Sequence, residues 1–147
     1  MRSADKTIEL QTKREYDFID LTDEVKAFVK EGGIKEGFVN VQTMHTTGAV
    51  ILNENEPLLL EDMKRHLEAL SPKTQKYSHD NFEIRTVNMC DDECANGHSH
   101  CKAMLLPANI TLNLIGGELQ LGQWQRILFL ELDKSRPRKV QIHIIGE

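Results

Sequence analysis

No apolar run in this 147-residue chain exceeds four or five residues, and none approaches the roughly 20 that a bilayer-spanning helix needs. The opening Met1-Arg2-Ser3-Ala4-Asp5-Lys6 lacks the apolar core of a secretory signal and leads straight into a polar alternating segment, so a cytoplasmic location is expected. Cysteine is scarce: three residues, an odd number, argue for a reducing compartment over a disulfide framework. Positive charge is not in excess, since 18 basic residues face 23 acidic ones. The one short basic run, Arg136–Lys139, gives no footprint for nucleic acid or an anionic membrane. Low-complexity tracts, internal repeats and Gly/Ser linkers are also missing, which leaves a single domain over 1–147. That length can bury a core without staples and is too short for a (β/α)₈ barrel, which takes about 250 residues.

Periodicity supplies the elements. Ile8, Leu10 and Thr12 alternate with polar residues in a first strand ending before Tyr16. Thr22 reads as an N-cap, with Val25, Phe28 and Val29 as the apolar stripe of a helix stopped by Gly32-Gly33. Period two returns over 37–45, where Val39, Val41, Thr43 and His45 share a face, and a further strand spans 49–53. Pro57 opens a helix to about Leu70, with Leu59, Leu60, Met63, Leu67 and Leu70 on its apolar side. Residues 71–95 are polar and irregular, with a short strand near 82–87, and 96–106 reads as a short helix. Strands over 109–115, 118–121, 123–133 and 139–145 follow, the first pair joined by a Gly116-Gly117 turn. The segment 128–132 is apolar on both faces and belongs at a sheet centre. The expected architecture is α+β: a mostly antiparallel sheet or sandwich with two to three helices.

Six histidines carry the chemical interest. His45 ends a strand beside Thr46-Thr47-Gly48, His79 lies in Tyr77-Ser78-His79-Asp80, and His98 and His100 flank Ser99. Three imidazoles meeting at one point leave an open fourth position, the arrangement of a catalytic zinc or similar divalent ion, with Asp80 able to orient a ring. On a helix, positions 98 and 100 lie about 200° apart, so only one of them can face such a site. Cys90-x₃-Cys94-x₃-His98-x-His100-Cys101 has zinc-type donors without the usual C-x₂-C spacing or a second pair, and a flexible loop with ordinary thiols is the better reading. Glu131, on an otherwise apolar strand, is either a general acid or base with a burial-raised pKa or a structural anchor. Arg136 and Arg138 are forks for phosphate or carboxylate, or parts of a solvated turn.

The ordered set His45-Thr46-Thr47-Gly48-Ala49, Asn53-Glu54-Asn55, Asp62-Met63, Tyr77-Ser78-His79-Asp80, Asn96-Gly97-His98-Ser99-His100-Cys101-Lys102 and Leu121-Gly122-Gln123-Trp124-Gln125, with Glu131 and Asp133, resembles the YjbQ family over about residues 7–146. Members are described as secondary thiamine-phosphate synthases. The resemblance implies a compact antiparallel α+β fold, a homotrimer, and a polar pocket between subunits whose clustered histidines can hold a metal. His45, His79 and His100 match the recurrent histidines and are the expected metal ligands. Asn53, Asp62, Gln125 and Glu131 match positions that line or brace the site. The expected site therefore has His45, His79 and His100 on a divalent metal, zinc by ligand type, and Glu131 and Asp80 as proton carriers. Asn53, Gln125 and Arg136 would contact a small-molecule substrate, possibly phosphorylated. Thiamine-phosphate synthesis, metal-assisted hydrolysis or lysis of a small phosphorylated or carboxylated metabolite, and non-catalytic binding of a small ligand or metal are the readings left open. Residues 81–95 are longer than the family's usual link, and Leu106-Pro107-Ala108 and Asp133–Arg138 depart from its pattern, so the pocket rim is where this chain differs.

Overall fold

The structure, a computed structural model, describes residues 1–147. Twelve elements follow one another: β1 (Arg2–Gln11), β2 (Phe18–Asp20), α1 (Thr22–Gly32), β3 (Gly37–Thr43), β4 (Gly48–Asn53), α2 (Pro57–Leu70), a 3₁₀ turn (Ser78–Asp80), α3 (Gly97–Ala103), β5 (Asn109–Ile115), β6 (Glu118–Leu119), β7 (Arg126–Glu131) and β8 (Pro137–Gly146). They form an α+β domain with two antiparallel sheets, ordered β1-β8-β3-β5-β6 and β2-β7-β4.

Alternation decides what faces inward. Val140, Ile142 and Ile144 of β8 are fully buried while Gln141, His143 and Ile145 look away, and Val39 and Val41 of β3 repeat the pattern. β7 breaks it, because both its faces are covered. Ile127 and Phe129 join the larger core with the five-stranded sheet and α1, and Leu128 and Leu130 join a second cluster with Ala49, Ile51, Leu67 and Leu132. This is the physical meaning of a strand apolar on both sides, and it places β7 at the centre of its sheet. The β5–β6 hairpin turns on Gly116 and Gly117, both at positive φ (61° and 82°), as a two-residue turn of this kind demands.

Several local expectations are corrected. The short strand expected near 82–87 is absent, and turns and bends occupy 82–88 instead. β2 pairs with β7 through only three residues, too few to show a period. Strands expected over 118–121 and 123–133 shrink to 118–119 and 126–131. Thr22 does not cap α1: Leu21 holds that position, and the Thr22 hydroxyl accepts the Ile127 N–H at 2.8 Å. For α2, Pro57 does sit in the first turn, and the Glu56 carboxylate accepts the N–H groups of Leu58 and Leu59 at 2.9 and 2.8 Å. Its apolar stripe is only partly covered, with Leu67 buried, Leu59, Leu60 and Met63 half-buried and Leu70 exposed. No helix is long and apolar enough to cross a membrane.

Candidate functional site

One cleft of about 570 Å³ gathers three of the histidines and both of the arginines that sequence reasoning singled out. Its walls come from the β3–β4 link (Met44–Thr47), the 3₁₀ turn, residues 85–93, the start of α3, and the β7–β8 link with Arg136 and Arg138. His45, His79 and His100 all line it.

The 3₁₀ turn is latched to α3. Asp80 Oδ1 accepts the backbone N–H groups of Asn96 and Gly97, both at 2.9 Å, which satisfies donors that a helix start leaves free. Gly97 makes the approach possible, because a Cβ there would sit 2.5 Å from Tyr77 Cβ. Tyr77 in turn donates its hydroxyl to the Pro72 carbonyl at 2.8 Å. The latch sets the His79 and His100 rings edge to face, with centroids 4.7 Å apart and planes at 67°. Asp80, expected to carry protons, is thus placed as the clasp between the two histidine-bearing segments, outside the cleft lining.

His45 and His100 are held neutral. Burial pushes the His100 pKa down, and the neighbouring His79 adds to the effect. Burial lowers that of His45 too, with the Arg138, Lys139 and Arg136 charges prevailing over Glu131. His45 Nε2 accepts the Lys139 N–H at 2.8 Å, so the proton of the neutral ring lies on Nδ1. His79 Nε2 is buried and has no hydrogen-bond partner. His98 faces elsewhere, as helix geometry requires: its Nε2 stands 3.2 Å from Glu15 Oε1.

The cleft's guanidinium groups are already engaged. Arg138 pairs with Glu131 through Nε–Oε2 at 2.7 Å and Nη2–Oε1 at 2.5 Å, and also donates to Thr47 Oγ1 at 2.9 Å. Glu131 is fully buried behind Arg138, outside the lining, and its remaining lone pairs accept Thr12 Oγ1 and the Asp133 N–H, both at 2.9 Å. Such a saturated pair fixes geometry, and removing one member would leave an uncompensated buried charge. Arg136 donates to Asp133 Oδ2 at 2.9 Å and to Cys94 Sγ at 3.3 Å. Arg85 pairs with Glu93 at 3.2 Å. Asp133, 5% exposed, keeps its pKa below the usual carboxylate value: burial alone would raise it, and hydrogen bonds from Asn96 and Lys134 together with Arg136 outweigh burial.

Other expected residues lie apart. Asn53 and Gln125 line a separate depression with Trp124, where Gln125 Oε1 accepts the Gly122 N–H at 2.8 Å. Asp62 is exposed and paired with Arg65. Cys90 lines the cleft while Cys101 sits half-buried on α3. A catalytic zinc takes three protein ligands meeting at one point. His79 and His100 stand together, but His45 is turned to a backbone amide, and no group of three or more His, Cys, Asp or Glu side chains converges anywhere in the chain. Sequence reasoning missed Arg85, Glu93 and Asn96 in the cleft. Asn96 precedes a helix and so looks like a cap, yet its side chain makes no capping bond.

Proteins of the same shape are known. A YjbQ-like protein of unknown function from Sulfolobus solfataricus superposes with a TM-score of 0.89 at 28% identity, covering 99% of both chains. A YjbQ/UPF0047 protein from Clostridium acetobutylicum gives 0.83 at 34% identity, covering 95% of this chain and 99% of that one. In sequence, a UPF0047 protein of Methanothermobacter thermautotrophicus is 36% identical over 138 residues, 94% of this chain and 89% of that protein. One from Archaeoglobus fulgidus is 39% identical over 131 residues, 89% of this chain and 93% of that protein. With residues 6–147 also matching the family model described as UPF0047 protein YjbQ-like, the chain belongs to the YjbQ-like UPF0047 family.

Proposed function

We propose that the cleft is the reactive site of an enzyme acting on a small polar metabolite, with the His79–His100 pair as its nitrogen base. The observation that carries this reading is the pair itself: two imidazoles at 4.7 Å, His100 neutral and His79 with a buried nitrogen that no protein group satisfies. A neutral imidazole beside a cleft can accept a proton from a bound molecule near physiological pH. His45 and the Asp80 clasp hold the walls, and Glu131 acts through Arg138 by fixing its guanidinium.

Diphosphate-releasing chemistry such as thiamine-phosphate synthesis draws less support, because it calls for uncommitted cationic groups. Arg85, Arg136 and Arg138 each already face a carboxylate of this chain. A divalent metal is a second reading, favoured by the bare His79 nitrogen. His79 and His100 would supply two nitrogen ligands, one short of a catalytic zinc centre, and no step is assigned to the ion. Homotrimeric assembly belongs to the same proposal, with the Asn53–Trp124–Gln125 depression and the exposed flank of α2 as the surfaces it would cover.

Product formation from a metabolite set, followed by mass spectrometry with wild type and a folded His100→Gln variant, tests the enzyme. Turnover lost in the variant, and falling in the wild type below pH 6.5, supports the base role. Tight binding with no product from any compound makes the protein a binder and removes the enzyme reading. Metal analysis of the untagged protein beside the same variant decides the second reading: near-stoichiometric metal lost on substitution favours it, and metal unchanged by substitution rejects it.

A further inference from the structure

Two residues that line the cleft each bury a polar atom for which the fold supplies no partner. Asn96 is 6% exposed, and its Nδ2 donates to Asp133 Oδ2 at 2.9 Å. Because the Asp133 carboxyl is held ionised, it can only accept, and this fixes which way the Asn96 amide faces. The amide oxygen, Oδ1, is then buried with no partner, and His79 Nε2 is in the same condition. These are the only buried side-chain nitrogen or oxygen atoms in the chain without a partner, and both belong to residues lining one cleft. A bare buried acceptor is costly, so native folds rarely keep one without a use.

Both atoms can accept. Asn96 Oδ1 is a carbonyl oxygen, and His79 Nε2 offers a lone pair in the Nδ1–H tautomer. The cations of the lining do not ask for a ligand, since Arg85 and Arg136 face Glu93 and Asp133, and Arg138 faces Glu131. Formal charge in the cleft is therefore balanced, and what is unsatisfied is hydrogen-bond acceptance. We infer that the cleft recognises a neutral NH₂ group, as in a carboxamide or ring amine, through Asn96 Oδ1 and His79 Nε2, with Asp133 as the positioning residue that orients the amide. This deepens the reading of the cleft as a small-molecule site and rests on it. A substrate so held would present its N–H face to the wall and its reacting atoms to His100.

Three probes of nearly equal shape separate the possibilities: benzamide, which has the NH₂; N,N-dimethylbenzamide, which lacks every N–H; and benzoate, which is an anion. Titrations of the whole chain are followed by ¹H–¹⁵N NMR of the Asn96 side-chain amide and the His79 and His100 rings. Benzamide is expected to move these resonances at millimolar concentration and the dimethyl compound to bind at least tenfold more weakly. Asn96→Ala and His79→Phe should each weaken benzamide by about tenfold, the loss of one hydrogen bond. Using two variants guards against one of them misfolding, and near-UV circular dichroism identifies the folded one. Benzoate or inorganic phosphate binding at these resonances more tightly than benzamide overturns the ligand class while leaving the cleft a binding site. Stoichiometric zinc at the same resonances assigns the bare atoms to a metal and also overturns it. No response to any probe overturns both the inference and the binding-site reading.

Discussion

Helix α3 has two polar faces that differ in one respect. On the rear face, His98, Ser99 and Lys102 are buried, and none of their fully buried side-chain polar atoms lacks a partner. Lys102 is fully buried, with Glu68 at 2.7 Å, Glu15 at 3.5 Å and the Tyr16 ring centroid at 4.9 Å, and Tyr16 donates to Glu68 at 2.6 Å. On the front face, Asn96 and His100 look into the cleft, where Asn96 Oδ1 and the adjoining His79 Nε2 find no partner. The same seven-residue helix thus carries a closed network and an open one. A saturated buried network rigidifies, and an unsaturated one stores a cost that a ligand can relieve. The rear face therefore holds α3 in place so that the front face can remain unsatisfied.

The largest effect should come from opening the rear. Lys102→Met leaves Glu68 without its cation, Glu15 with Lys73 alone, and Tyr16 without its nearer ring contact. Breaking a buried ion pair costs about 3–5 kcal/mol, and the 40% exposure of the Glu68 side chain reduces that to roughly 2–4 kcal/mol. Urea denaturation measures it, and a loss under about 1 kcal/mol would show that the network holds nothing. Gly97→Ala attacks the junction between the faces instead. Its Cβ meets Tyr77 Cβ at 2.5 Å, a backbone-proximal contact that must move, at about 1–3 kcal/mol. The separation of the His79 and His100 rings should change with it, visible as shifts of both imidazole resonances. Stability lost with unmoved rings would mean that the latch does not position them.

These faces were unequally legible in the sequence. The strands were readable where one side is buried: β8 alternates because Val140, Ile142 and Ile144 face the core, and β7 is apolar from Ile127 to Leu130 because both sides do. The helical spacing of His98 and His100 already required them to diverge. The destinations of the polar groups were hidden, because they depend on partners far along the chain. Glu131 reads as a stray carboxylate until Arg138 and Thr12 are brought to it by β8 and the end of β1. Asp80 reads as a proton carrier beside a histidine until residues 96 and 97 present their N–H groups. Asn96 stood out only as the opening residue of a helix and a motif, since what marks it as a contact is a bond that is not made.

A smaller effect follows from the clasp. Asp80→Ala removes the single oxygen that accepts two N–H groups at the start of α3 and should cost about 1 kcal/mol, the usual worth of a helix cap, while Asp80→Asn keeps that oxygen without its charge and recovers part of the loss. Equal losses in the two variants would assign the effect to charge at the helix start instead.

Acid should separate the faces in order. His45 and His100 carry pKa values lowered from 6.5, so above that pH neither folded nor unfolded rings bind a proton and nothing is lost. As the pH falls below 6.5 the unfolded chain takes up protons that the folded rings resist, and stability drops until the folded values are passed. Glu68 behaves likewise in a later window. Burial would raise its pKa, but hydrogen bonds from Lys102 and Tyr16 hold it at about 2 against an ordinary 4.5, so the rear face weakens only between those values. His45→Gln with His100→Gln should erase the first phase and spare the second. A first phase that survives the double substitution would place the titration elsewhere.

The smallest expected change in stability is the most discriminating. If His79 Nε2 is bare because the site waits for a ligand, the nitrogen contributes nothing favourable to the empty fold. His79→Phe keeps a planar ring against His100 and removes the unsatisfied atom, so folding free energy should stay within about 0.5 kcal/mol of wild type or rise slightly. A rear-face substitution of comparable size has no such freedom, because no fully buried polar atom there lacks a partner. Denaturation of His79→Phe beside Lys102→Met therefore measures the asymmetry directly. A loss above about 1.5 kcal/mol in His79→Phe would mean that the imidazole is structural, and that the front of α3 is closed in solution by a partner such as an ordered water.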